Sequence, residues 1–178
     1  NLHSKMDLSL YTPGSRAGIP VNVLGAFARP PAEVLEDDEQ RRERVSDRIS
    51  GLFGLVGRAV DPIQDPGHVV LSHILETAWL AGEDPDLATL VLRLVDPPFE
   101  RGGVFPVDRF FKPDDRMKLA VALNAVMASP SFSVWSEGVD LDPQVFLQKG
   151  DKTKVSIFCL SHLEESERQF FVSLLLSQ

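Results

Sequence analysis

The sequence holds one cysteine and one tyrosine in 178 residues, and no apolar run approaches membrane length. A lone thiol excludes an internal disulfide framework and a zinc site built on several thiolates. A membrane-spanning helix needs roughly 18–20 apolar residues. The longest stretches here, over 119–123 and 172–176, are bounded or broken by polar residues. The opening Asn1-Leu-His-Ser-Lys5 carries no signal-peptide pattern. Positive charge is also scarce: 18 Lys and Arg stand against 26 Asp and Glu, for a net charge of −8. Overall charge therefore disfavours gripping a phosphate backbone, and a local basic patch stays open. A cytoplasmic, reducing compartment and no membrane contact are expected.

What is present is ordinary for a globular domain: 43% apolar and 25% charged residues, enough for one sizeable core. The chain begins at Asn and stops at Ser177-Gln178 inside an apolar helical pattern without a C-cap. That predicts a piece of a longer protein.

Residues 7–11 alternate, and Thr12-Pro-Gly-Ser15 is a turn signal. Residues 19–24 read as a second strand with Pro20 near its start. From Pro30-Pro31 the pattern is helical. Residues 33–59 predict one long helix or two, with exposed Asp37/Arg41 and Asp38/Arg42 pairs and then an apolar stripe through Val45, Ile49, Leu52, Phe53 and Val56. Asp65-Pro66 and Asp84-Pro85 read as helix starts; Gly82 and Asp96-Pro-Pro98 read as stops. Pro113-Asp114-Asp115 opens a further helix that Ser129-Pro130 breaks. Residues 131–136 predict one helical turn, and Asp142-Pro143 another short helix. After a polar turn over 149–154, residues 154–160 are almost continuously apolar in their second half, as expected for a strand covered on both faces. An amphipathic helix over 164–176 follows, with Phe170, Phe171, Leu174 and Leu175 inward. β-rich ends around a helical middle predict an α/β, mostly helical chain: a strand segment at 1–29, a helical insertion at 30–148, and a strand and helix at 149–178.

Chemical motifs are few. Gly51-Leu-Phe-Gly-Leu-Val-Gly57 lacks the Gly-Lys-Ser/Thr ending of a phosphate-binding loop, and it lies in a helical stripe where glycines allow close helix approach. His68 and His73 are five apart and fall on different helix faces, which makes them poor joint metal ligands. Gly14-Ser15-Arg-Ala-Gly18 does not have nucleophile-elbow spacing. Ser161-His162 follows the apolar strand at the end where α/β sheets place ligands, and its plain reading is a strand stop and helix cap. Cys159 reads as a small buried hydrophobe. The acidic runs at 36–39, 114–115 and 164–165 read as a solvated face and two helix starts. No catalytic, cofactor-binding or metal-ligating residue is assigned.

Several segments follow one another in a fixed order: Leu10-Tyr-Thr-Pro-Gly-Ser15 with Ala17-Gly-Ile-Pro-Val-Asn-Val-Leu24, Phe53-Gly-Leu-Val-Gly57, Asp86-Leu-Ala-Thr-Leu90, Val104-Phe-Pro-Val-Asp108, Leu123-Asn124, Ala128-Ser-Pro-Ser-Phe132, Trp135-Ser-Glu-Gly138, and Val155-Ser-Ile-Phe-Cys-Leu-Ser-His-Leu163 with Glu167-Arg-Gln-Phe-Phe171. In this order and spacing they are similar to segments of HerA-like P-loop ATPases of the HerA/FtsK group. The resemblance spans nearly all of the chain from Leu8. It implies an incomplete RecA-like sheet flanking the helical insertion, in a parent that binds ATP and Mg²⁺ and works as a ring-shaped homo-oligomeric motor on DNA, a helicase or translocase. The Walker A lysine loop would precede Asn1 and the Walker B acid would follow Gln178, so the segment alone is expected to be inactive. Its partners would be neighbouring subunits; DNA belongs to the parent rather than to this acidic segment. Arg168 reads as a helix-surface residue, with an intersubunit arginine as the alternative.

Two other readings stand beside this one. One is a free-standing helical protein-interaction module with no ATP link. The other is a hydrolase using Ser15 or Ser161 with His162. A truncated core further predicts apolar surface at Val155, Ile157, Phe170 and Leu174.

Overall fold

The computed structural model describes residues 6–130, 132–147 and 152–176, with the side chains of Leu24, Pro143 and Gln144 left aside. His3, Ser131, residues 149–151 of the polar turn predicted over 149–154, and both chain ends lie outside the described residues. The chain is α/β and mostly helical. In order, it forms β1 (Met6–Tyr11), β2 (Val21–Asn22), α1 (Ala32–Glu36), α2 (Asp38–Leu55), α3 (Pro66–Leu80), α4 (Leu87–Val95), β3 (Arg101–Gly102), β4 (Phe105–Pro106), α5 (Val107–Phe110), α6 (Pro113–Ala128), β5 (Val139–Asp140), α7 (Pro143–Leu147), β6 (Thr153–Phe158) and α8 (Glu165–Leu176). Among the described residues the strands make three two-stranded sheets: β1 with β6 in parallel, β2 with β5 in parallel, and the β3–β4 hairpin. No described helix is long and apolar enough to cross a membrane.

Local chemistry explains the helix boundaries. Asp37 accepts hydrogen bonds from the amides of Glu39 and Gln40, which satisfies two orphan donors and divides the predicted long helix into α1 and α2. Its carboxyl is held below the usual range chiefly by the Gln40 amide. Asp37 is thus a cap, not the exposed partner of Arg41. Arg41 is itself buried: it donates to the Leu35 carbonyl at 2.6 Å and pairs with Asp38 and, at 3.0 Å, with Glu76 of α3. Part of the charged run therefore ties α1, α2 and α3 together rather than forming a solvated face. Asp65 caps α3 through the His68 amide as expected. The next cap is Asp86, not Asp84, because Asp86 bonds both the amide and the hydroxyl of Thr89.

The core lies where α2 and α3 meet α8 and α6. Ile49, Leu52, Phe53, Leu71, Ile74, Leu75, Phe170, Phe171 and Leu174 are all fully enclosed. Each such side chain stabilises the fold by roughly 1.5–3 kcal/mol relative to exposure. At Gly51 an added methyl would stand 3.3 Å from the Phe170 ring, so this glycine sets how closely α8 approaches α2. The segment after β2 is pinned by two buried groups. Trp79 Nε1 donates to the Phe27 carbonyl at 2.9 Å, and Arg48 donates to the Ala28 carbonyl at 3.0 Å with its guanidinium over the Trp79 ring. Burial lowers the Arg48 pKa to about 10.

His68 and His73 go to separate partners. His73 meets Phe99 edge-on, whereas the buried His68 ring contacts the Ser50 and Ser72 hydroxyls and the Ser46 carbonyl. Burial pushes the His68 pKa below its ordinary 6.5. The unfolded chain therefore takes up this proton first. Stability should fall as pH drops through about 6.5 and level off below the depressed folded value. Denaturant titrations from pH 8 to pH 5 should show this loss, and His68→Gln should flatten the slope over that window. An unchanged slope in the variant would assign the loss to other groups.

Candidate functional site

Sheets place ligands at the C-terminal ends of parallel strands, and three loops converge on that edge of β1 and β6. The first is the turn over 12–18. Thr12 Oγ1 donates to the Ser15 carbonyl and accepts from the Gly18 amide, both at 2.9 Å, and the Thr12 amide closes the turn on the Ile19 carbonyl. The second is the loop over 159–163, whose Cys159 amide donates to the Tyr11 carbonyl at 2.9 Å. The third holds Trp135 and Glu137. The Trp135 ring is buried against Phe132, Phe170 and Phe171. Gly14, at φ +70°, rests on that ring, and an added methyl there would stand 2.9 Å from it. Arg16 forks onto Glu137, with Nε donating to Oε2 at 2.8 Å. That hydrogen bond is the main cause holding the Glu137 carboxyl below its ordinary range.

The residues the sequence singles out at this edge do not form a nucleophile–base pair. His162 Nε2 donates to the Pro13 carbonyl at 2.7 Å. The Ser15 hydroxyl accepts from the Ala17 amide, and the Ser161 hydroxyl lies 3.5 Å from Cys159 Sγ. The imidazole thus ties two loops together instead of activating a serine. Cys159 differs from its expected buried place in the strand: it follows the last residue of β6 and is half-buried. Hydrogen bonding from Ser161, side chain first and backbone second, lowers its thiol pKa. No cluster of three or more His, Cys, Asp and Glu suited to a metal occurs among the described residues. Arg168 sits on the surface of α8, 3.3 Å from Glu165.

The surface beside this edge carries more information. Successive strand residues point to opposite faces. The parallel register sets Leu8 beside Val155 and Leu10 beside Ile157. On that face Leu8 is 55%, Leu10 45% and Ile157 42% exposed. The other face is covered. There Tyr11 stacks on Phe158 and meets Phe146 edge-on, Phe158 packs on Phe171, and Ser156 donates to the Phe146 carbonyl. Polar Ser9, Ser156 and Lys154 lie on the covered face, while leucines and isoleucine lie on the open one. This is the reverse of the polar-out pattern of a one-sided sheet.

The expected exposed surface is thus corrected in part. Ile157 is open and Val155 half-buried, but Phe170 and Leu174 are 1% and 0% exposed, because α8 closes on α2. The open face extends instead to Leu8 and Leu10 of β1, where the spacing of two leucines in a six-residue strand was the available signal. No protein family, curated protein or solved structure matches the chain.

Proposed function

We propose that this chain is a bracing segment of a HerA/FtsK-like ATP-dependent motor, a cytoplasmic ring-shaped homo-oligomer acting on DNA as a helicase or translocase. In this reading the phosphates of ATP and its Mg²⁺ are held by groups elsewhere in the parent. The segment shapes the sheet and meets neighbouring subunits, and by itself it hydrolyses nothing. The carrying observation is the β1–β6 pair, two parallel strands from distant parts of the chain with apolar side chains on the open face. Parallel strands belong to sheets covered on both sides. Here the covered face carries Tyr11 and Phe158 beside polar Ser9, Ser156 and Lys154, while the apolar Leu8, Leu10 and Ile157 are left open.

The tests are direct. Calorimetry with ATP and Mg²⁺ should give no saturable binding in the micromolar range, and micromolar binding would overturn the reading. The gene's reading frame should encode a Gly-Lys-Ser/Thr loop upstream and an acidic strand end downstream; a frame with neither sinks it. A second reading, the free-standing helical interaction module, draws support from the closure of α8 on α2, which completes a helical core without outside help. In that case the frame carries neither motif.

A further inference from the structure

A cleft of about 530 Å³ opens between the start of α3 and the corner where α5 turns into α6. Its volume falls in the range of small-molecule sites, about 300–1,000 Å³. Four cations line it, Arg58, Arg109, Lys112 and Lys118, against two carboxylates, Asp65 and Asp115. The chain as a whole has the opposite imbalance.

The two carboxylates are already engaged. Asp65 Oδ2 accepts from Arg58 at 3.1 Å while its other oxygen caps α3. Asp115 Oδ1 accepts from Lys118 at 2.8 Å, and that bond is the first cause of its lowered pKa; Lys112 adds a weaker Coulombic pull. The side chains of Arg109 and Lys112 make no hydrogen bond or ion pair with any described residue. Both are exposed on the cleft wall, three residues apart. Lys112 is also the N-cap residue of α6 and supplies no side-chain cap to its first amides. Beside these cations the half-buried Phe110 gives the cleft an aromatic wall.

We propose that this cleft binds a small organic phosphate monoester, its phosphate held by Arg109 and Lys112 and its apolar part packed against Phe110. A phosphate offers three acceptor oxygens, and charge-assisted hydrogen bonds to arginine and lysine are the strong kind. The site is too acidic at its borders for a running nucleic-acid backbone. Asp108, one residue before Arg109 and paired with Arg116 at 2.8 Å, and Asp114, two residues after Lys112, are both exposed. They add negative charge beside the two cations, which disfavours a run of phosphates.

The test is an amide NMR titration of the full chain with inorganic phosphate and, separately, with phenyl phosphate, at constant ionic strength set by sodium chloride. Saturable shifts centred on residues 109–115 are expected, with dissociation constants on the order of millimolar for one charge-assisted site. Phenyl phosphate should bind about 3- to 10-fold more tightly than inorganic phosphate if its ring reaches the aromatic wall. Arg109→Ala with Lys112→Ala should weaken phenyl phosphate at least about 10-fold. Arg109→Gln with Lys112→Gln should do the same, guarding against a folding defect in the first pair. Arg42→Ala, an exposed cation on α2, should leave affinity unchanged. Equal affinity for the two probes, or full binding in both double variants, would overturn the proposal. The millimolar range also keeps this test apart from the micromolar ATP test, so either idea can fail alone.

Discussion

Replacing Leu10 and Ile157 together by lysine should convert an associating chain into a monomer. Both side chains lie on the open face of the β1–β6 pair, beside Leu8 and Val155. Two copies meeting through that face would each cover several aliphatic side chains, at about 25 cal/mol per Å² removed from water. Contiguous apolar surface of this kind drives association. Two lysines per face would place four charges in the contact and abolish it. The fold should lose little, within about 1 kcal/mol, because both positions are already near half exposure. Sedimentation and hydrophobic-dye binding check this: the unmodified chain should show concentration-dependent association and bright dye, and the variant neither. A clean monomer with little dye binding before any substitution would count against an open core, and with it against the motor-segment reading.

Gly138→Ala should be the most damaging glycine-to-alanine substitution among the described residues. Gly138 has φ +94°, a region L side chains rarely occupy, and an added methyl carbon would stand 2.0 Å from the Pro20 carbonyl oxygen. That oxygen accepts from the Val139 amide at 3.1 Å, so the clash strikes the bond beside the β2–β5 pairing. The backbone must give way, and the neighbouring Glu137 loses its alignment with Arg16. A cost of at least about 3 kcal/mol is expected, or on the order of 10 °C in Tm for a chain of this size. Gly54→Ala supplies the contrast. Nothing lies within 4 Å of a methyl group there, and the residue is inside α2, so alanine should add about 0.5–1 kcal/mol. Urea denaturation of both variants decides it; a Gly138→Ala chain as stable as its parent would show that the segment around Pro20 yields freely.

Signals written in neighbouring residues proved readable. Asp65-Pro66 opens α3 because cap and first turn are contiguous. The strand expected over 154–160 forms as Thr153–Phe158, two residues short at its end, with Cys159 and Leu160 past it. Where two local signals compete, the reading slips. Asp84 and Asp86 both precede helix, and only Thr89, which offers two donors to Asp86, decides between them. Residues 19–24 shrink to the two of β2 because the following segment is drawn into a 3₁₀ turn, with Ala26 and Phe27 buried and the Phe27 carbonyl bonded to Trp79. Arg41 looks solvated in sequence because its partner Glu76 lies on another helix. The same distance hides the cleft. Arg58 and Arg109 belong to segments with no common motif, and only the packing of α3 beside α6 sets them around one space.

The half-buried thiol at the end of β6 gives the chain a ready point of attachment. Cys159 is the single cysteine, and its lowered pKa raises the fraction of reactive thiolate near neutrality. A maleimide fluorophore would couple there without any prior mutagenesis. From that position, one residue past the strand and bonded through its amide to Tyr11, the label would report on whether the two end strands stay zipped.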